Sequence, residues 1–304
     1  MSYAAPSGAS PRAGVVRDGE VHDLQAVLGG SAPGTVLAAL DDWDCIRAGL
    51  ASAQFGDGRV GVLTDVQLLA PILYPRALFC AGANYTDHVA EMARVLNLPD
   101  DGGRKDGDKP WHFIATPSHS VVGSGADVEI PAYCARLDWE AEIGVVIGRR
   151  ARNVTVDDAM EHVAGLTIVN DLSARDHVFR SGVPVGSPFH WDWVSQKCFT
   201  GAKPMGPWIV PLEGIPDLAD LPVRLWVNGR LMQDSSSRNM IFSIAEQVAH
   251  LSTRVTLLPG DVVATGTPAG VGMARGVFLQ PGDEVRIEVG QVGTLATRIV
   301  QPSP

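Results

Sequence analysis

The chain is poor in aromatic residues (6%) and cysteine (four), has no surplus of basic charge and no long hydrophobic run. Each shortage removes a class of function. With 24 Lys and Arg against 34 Asp and Glu, the net charge is −10. The basic stripe that neutralises nucleic-acid phosphates is missing, and attraction to an anionic membrane surface is equally disfavoured. No segment reaches the ~20 apolar residues of a membrane span, and the N-terminal MSYAAPSGASPRAG has no continuous apolar stretch of the secretory kind. Cys45, Cys80, Cys134 and Cys198 lie far apart and form no C-x-x-C pair, which points to free thiols in a reducing, cytoplasmic compartment. What is present is ordinary globular material: 304 residues, 45% hydrophobic, enough for one large domain or two smaller ones.

Residues 1–75 read as a small N-terminal α/β unit. Val15 and Val16, Asp18-Gly19 and Val21 predict a hairpin closed at Asp-Gly, and Cys45, Ile46 and Leu50 predict a helix over Asp42–Ala53. Pro71 and Pro75 mark a junction. Over residues 76–304 the texture changes to short β-branched runs between Gly and Pro turns. Strands are expected at Val128–Pro131, Ile143–Ile147, Leu166–Val169, Val223–Val227, Val262–Ala264 and Val285–Val289, and helices at Ala159–Val163 and Ile244–Leu251. Pro259-Gly260-Asp261 and Pro281-Gly282-Asp283 each launch a strand, and Asn228-Gly229 turns a hairpin. Many short strands and few helices give an α+β, mainly β class, rolled or barrel-like rather than a βαβ sheet.

The segment Asp138-Trp139-Glu140-Ala141-Glu142-Ile143-Gly144-Val145-Val146-Ile147-Gly148 carries the most chemistry. Read with period two, Ala141, Ile143, Val145 and Ile147 form one apolar face, and Glu140 and Glu142 project from the other, about 7 Å apart. Gly144 and Gly148 on that second face leave room for a close approach. An exposed face with solvated glutamates fits the same pattern. The next apolar run, Gly165 to Val169, ends in Asn170-Asp171, and a third carboxylate there meets the first two if the strands are neighbours. Three crowded carboxylates need a cation, and oxygen-only ligands favour Mg²⁺ or Mn²⁺ over zinc.

Arg175, just downstream, suits a substrate carboxylate, or a surface ion pair with Asp176. Lys197 sits in a Trp-rich stretch with Trp191 and Trp193, placed either to stabilise an oxyanion or to snorkel. His88 and Glu91 share a face of a helix opening at Asn84 or Thr86, an arrangement that activates water or merely decorates a surface. The charged run Asp100–Lys109 that follows reads as a mobile loop, which makes this helix a candidate lid. Thr265-Gly266-Thr267-Pro268-Ala269-Gly270 is neither a Walker loop nor a dinucleotide fingerprint; its amides and hydroxyls either hold a carboxylate or form a plain turn.

Together, Asn84-Tyr85-Thr86-Asp87-His88, Glu140-Ala141-Glu142, Asn170-Asp171-Leu172-Ser173-Ala174-Arg175-Asp176 and Thr265-Gly266-Thr267-Pro268 resemble the fumarylacetoacetate hydrolase superfamily from about Leu78 to Val300. The resemblance implies a mixed β-roll behind a small N-terminal unit, assembled as a homodimer. It implies Mg²⁺ or Mn²⁺ held by Glu140, Glu142 and Asp171, and a small anionic 2-oxo acid as substrate. It also implies His88 and Glu91 as a water-activating dyad, Lys197 as the oxyanion lysine, and Tyr85, Arg175, Gly266 and Thr267 at the substrate. Two family features are missing. Ile114-Ala115-Thr116-Pro117-Ser118 lacks a Lys before its Pro-Ser turn, and Val178 stands where a Gln follows the Arg; His119 and His177 are the candidates to compensate. The leading expectation is a metal-dependent hydrolase of the C–C bond of an acylpyruvate. The alternatives are an isomerase or decarboxylase of unsaturated dicarboxylates in aromatic catabolism, and a catalytically silent metal-binding scaffold.

Overall fold

The structure, a computed structural model, describes residues 1–5, 10–56, 58–97 and 103–302. It is α+β and mainly β. A seven-stranded mixed sheet runs in the order His112–Ala115, Leu78–Ala81, Val262–Ala264, Ala141–Ile147, Val163–Asn170, Lys203–Pro211, Val121–Val122. A five-stranded sheet, in the order Arg230–Ser236, Pro222–Val227, Glu284–Val289, Gly293–Val300, Asp127–Glu129, packs against it. The N-terminal residues add a four-stranded sheet from Ser2–Tyr3, Arg12–Arg17, Glu20–Asp23 and Arg59–Val62.

The turns follow their chemistry. Asp18 and Gly19, and again Asn228 and Gly229, all take positive φ, which closes a two-residue hairpin whose twist matches its strands. Helices form at Trp43–Ser52 and Ile244–Arg254, the latter opened by a reciprocal capping box between Ser243 and Glu246. The expected Ala159–Val163 helix is a single 3-10 turn over Ala159–His162; Val163 already belongs to a strand, because its β-branched run pairs with Ile147.

The Ala141–Ile147 strand is buried on both faces. Ile143, Val145 and Ile147 pack with Val223, Leu225 and Ile287 of the five-stranded sheet. On the other face Val146 joins a second cluster with Leu24, Val36, Leu40 and Ile46 of the N-terminal unit. The room left by Gly144 and Gly148 is taken up inside the fold. A Cβ at Gly144 would meet the methyls of Thr167 and Val169 at 2.8 and 2.9 Å, and one at Gly148 would meet Ala164 Cβ at 2.7 Å. Solvated glutamates are therefore not what this strand presents.

All four cysteines are unpaired, with Cys80 and Cys134 buried. Among the described residues no helix is long and apolar enough to cross a membrane. Of the charged run after the His88 helix, residues 100–102 lie outside the described residues. From Gly103 on it is anchored, with Arg104 bonded to Glu246 at 2.9 Å and stacked 4.7 Å from the Phe242 ring.

Candidate active site

Pairing between Ala141–Ile147 and Val163–Asn170 is antiparallel, with Ala141 opposite Asn170. That register brings the end of one strand, Asp171, beside the beginning of the other, Glu140 and Glu142. The Asp171 amide donates to the Glu140 carbonyl at 2.9 Å, locking the corner. Carboxylate oxygens of Glu140, Glu142 and Asp171 lie within 4.8 Å of one another, and all three side chains are buried.

The surrounding cations are as closely held. Lys197 Nζ donates to Glu140 Oε2 and Asp171 Oδ2, both at 2.8 Å, so this lysine does not snorkel. Arg175 bonds Glu140 Oε1 through Nη2 at 2.5 Å and Asp138 Oδ2 through Nε at 2.8 Å, rather than its neighbour Asp176. Lys203, fully buried, sits 2.6 Å from Asp171 Oδ1 and donates to the Lys197 carbonyl. Asp138 and Lys203 were not singled out by the sequence. Asp138 is placed by the small sheet pairing Leu137–Asp138 with Ser173–Ala174, and Lys203 begins a strand beside Val169. Only strand register, which local patterns do not reveal, brings them here.

Four carboxylates (Asp138, Glu140, Glu142, Asp171) thus face three cations (Arg175, Lys197, Lys203), leaving one negative charge in excess. The excess falls on Glu142. Burial, then Asp171 and Glu140, push its pKa well above the usual carboxylate range, against the single Gly266 amide bond at 2.9 Å. Burial acts to raise Glu140 too, but Lys197, Arg175 and His88 outweigh it and hold its pKa at about 2. A buried oxygen cage with one carboxylate more than its cations suits a hard divalent cation, which would displace the Glu142 proton and leave one positive charge in excess for an anionic ligand. Glu140, Glu142 and Asp171 fit that role.

The cage opens into a cavity of about 230 Å³, lined also by His88, Arg175, Lys197, Thr267 and the rings of Trp111, Phe113 and Trp193. His88 is carried by the Thr86–Leu96 helix, whose cap is Tyr85 without a side-chain bond. Asn84, expected as a cap, instead clamps three segments. Its Nδ2 donates to the Phe242 and Thr265 carbonyls, and its Oδ1 accepts from the Phe242 amide. Burial lowers the His88 pKa, so the imidazole is neutral at pH 7. Its Nδ1 lies 4.0 Å from Glu91 Oε2, and Glu91 is fixed by the Gly270 amide at 2.8 Å. Gly270 has φ +104°, and a Cβ there would stand 2.1 Å from the Met232 carbonyl oxygen, so only glycine can offer that amide.

The remaining candidates separate. Thr267 lines the cavity and its Oγ1 accepts from Gln233 Nε2 at 2.9 Å. Gly266 bonds Glu142 through its amide. Tyr85 is wholly buried with an unpartnered hydroxyl and is not part of the cavity wall. His119 bonds Ser118 and His177 bonds the Tyr133 carbonyl; neither reaches the cavity, so neither replaces the missing Lys or Gln.

A mainly β body with an acidic cage at a strand corner, a buried lysine and arginine on it and a histidine-bearing helix above defines a class of protein. A family model described as fumarylacetoacetate (FAA) hydrolase C-terminal matches residues 77–300, and the chain belongs to that family. It is 34% identical over 305 residues to oxaloacetate tautomerase FAHD2B, mitochondrial, of Bos taurus, covering 99% of this chain and 91% of that protein. Among solved structures, fumarylacetoacetate hydrolase from the psychrophile Exiguobacterium antarcticum superposes with a TM-score of 0.78 at 32% identity, covering 99% of this chain and 98% of the other. Maleylpyruvate hydrolase from Sphingobium sp. SYK-6, solved with manganese(II) and pyruvate, gives a TM-score of 0.76 at 28% identity, with both chains covered fully.

Proposed function

We propose that this protein is a Mg²⁺- or Mn²⁺-dependent enzyme that hydrolyses the C–C bond of an acylpyruvate-type 2-oxo acid. The observation that carries the reading is the buried His88, its Nδ1 4.0 Å from Glu91 Oε2, in the wall of the same cavity as Glu140 and Glu142. Glu140, Glu142 and Asp171 would hold the ion, which when bound polarises the 2-oxo group and lowers the cost of the pyruvate enolate. His88, with Nδ1 toward Glu91, takes a proton from water at Nε2; the oxygen adds to the distal carbonyl carbon. Lys197 faces the charge that develops, and Arg175 the substrate carboxylate. When the bond between the acyl and methylene carbons breaks, its electron pair stays with the pyruvate fragment, and His88 returns the proton there.

A second reading, keto–enol tautomerisation, is favoured by the full-length similarity to the bovine oxaloacetate tautomerase. It needs only the proton transfer at His88 and no attacking water. The supporting experiment incubates the Mn²⁺-loaded chain with acetylpyruvate and with enol oxaloacetate. Release of acetate and pyruvate, lost in His88→Ala while Mn²⁺ binding persists, supports hydrolysis. Interconversion of enol and keto forms with no bond cleaved supports the second reading, and neither reaction with metal bound returns the scaffold.

A further inference from the structure

The cavity has two chemically different ends. One holds the carboxylate cage with Arg175 and Lys197. The other is a wall of rings, Trp111, Phe113 and Trp193: Phe113 stacks on Trp193 at 5.2 Å between centroids and 19° between planes, and Trp193 stacks in turn on Trp191, outside the cavity lining, at 5.6 Å and 7°. Trp111 leans on Trp193 at 5.3 Å. The ends adjoin, since Lys197 Nζ lies 5.6 Å from the Phe113 ring centre.

The aromatic end is built rather than incidental. Trp111 is 54% exposed yet closely seated, because Gly82 lets the indole lie against bare backbone; a Cβ at Gly82 would stand 2.5 Å from Trp111 Cε3. Among the described residues, the cavity's cations are Arg175 and Lys197, and both sit at the cage end, on Glu140. Gln196, one helical turn after Trp193, adds a neutral amide whose Oε1 is buried and unpartnered.

From this arrangement we infer that the acyl part of the substrate is planar and apolar, an aryl or alkenyl group seated on Trp111, Phe113 and Trp193, and not a second carboxylate. A buried carboxylate without a cation is costly to desolvate, whereas a ring stacked on indole gains attraction beyond its area burial. The inference sets this chain apart from the relatives named for oxaloacetate and maleylpyruvate, both dicarboxylates. It deepens the proposed function and rests on it for the position of the 2-oxo acid head.

The test uses three unreactive oxamates that share that head: oxamate itself, N-phenyloxamate and N-carboxymethyloxamate, titrated into the Mn²⁺-loaded full chain by calorimetry. N-phenyloxamate is expected to bind roughly tenfold more tightly than N-carboxymethyloxamate. Trp111→Ala, and independently Gly82→Ala, which displaces the ring without deleting it, should each bring phenyl affinity down to that of oxamate. Unchanged circular dichroism confirms that both variants fold. Equal or reversed order of the two tails overturns the inference alone, as does a phenyl preference that survives both substitutions. If none of the three oxamates binds while Mn²⁺ does, the 2-oxo acid reading itself fails, and the tail assignment with it.

Discussion

Lys203 Nζ lies 2.6 Å from Asp171 Oδ1, and both side chains are shut away from solvent. Removing one member of such a pair costs roughly 3–5 kcal/mol when the other is left with no partner, and less here because Asp171 keeps Lys197 Nζ at 2.8 Å. Lys203→Met should therefore lower the melting temperature by several degrees in metal-free buffer. A divalent ion on Asp171 supplies a replacement cation, so the deficit should shrink when Mn²⁺ is added. Melts of both proteins with and without Mn²⁺ check this; a deficit that Mn²⁺ leaves untouched would place the ion elsewhere.

Glu142 gives the opposite expectation. Burial, Asp171 and Glu140 push its pKa well above the usual carboxylate range, toward the protonated form that an amide resembles. Its contribution to stability is full below the unfolded pKa near 4.5 and is lost as pH rises through the raised folded value. Glu142→Gln should then melt no lower than wild type without metal at pH 7. It should lose the stabilisation that Mn²⁺ gives wild type, which at a hundredfold excess over Kd is about 2.7 kcal/mol. A variant that melts far below wild type without metal would mean Glu142 is ionised there.

How much of this the sequence shows depends on the range of each cause. Glu140 and Glu142 are legible because their shared face follows from a period of two within one strand, and Asp171 because it ends the next apolar run. Their convergence is a register effect, with Ala141 opposite Asn170, and only the fold supplies it. Lys203 escaped notice because its strand, Lys203–Pro211, carries Pro204, Pro207 and Pro211, residues that argue against a strand interior. The strand forms nonetheless, with a register shift between Leu166 and Ile168 accommodating the interruptions. Leu78–Ala81 and His112–Ala115 were also unexpected as strands, since runs of four residues carry too little pattern to be told from loop. Asn84 was misread as a cap because its clamp partners, Phe242 and Thr265, are over 150 residues away.

A pH effect away from the cage follows from His112. Burial, only partly offset by its contact with Gln247 and reinforced by His250, pushes its pKa down to about 4 from 6.5. The unfolded chain therefore binds a proton between those values that the native chain refuses, so stability is full above pH 6.5 and declines as pH falls toward 4. The group is partly exposed, which brings the expected loss to on the order of 2 kcal/mol. In His112→Gln, denaturant midpoints from pH 7 to 4 should fall less steeply than in wild type. Parallel curves for the two proteins would remove His112 from the cause.

Asp138 is the support beneath Arg175. Its two oxygens accept from four donors: the amides of Trp139, Gly272 and Met273 at 2.8, 2.6 and 3.0 Å, and Arg175 Nε at 2.8 Å. An asparagine offers one acceptor oxygen and turns an NH₂ toward donors, so Asp138→Asn must break part of this set, at roughly 1–3 kcal/mol. If Arg175 holds the substrate carboxylate, the loosened guanidinium should raise KM for a 2-oxo acid about tenfold with a smaller change in kcat. Asp138 lies outside the cage of Glu140, Glu142 and Asp171, so Mn²⁺ affinity should fall far less than substrate affinity. Kinetics at saturating Mn²⁺ beside a direct Mn²⁺ titration separates the two effects; equal losses in both would make Asp138 part of the metal site rather than the seat of the arginine.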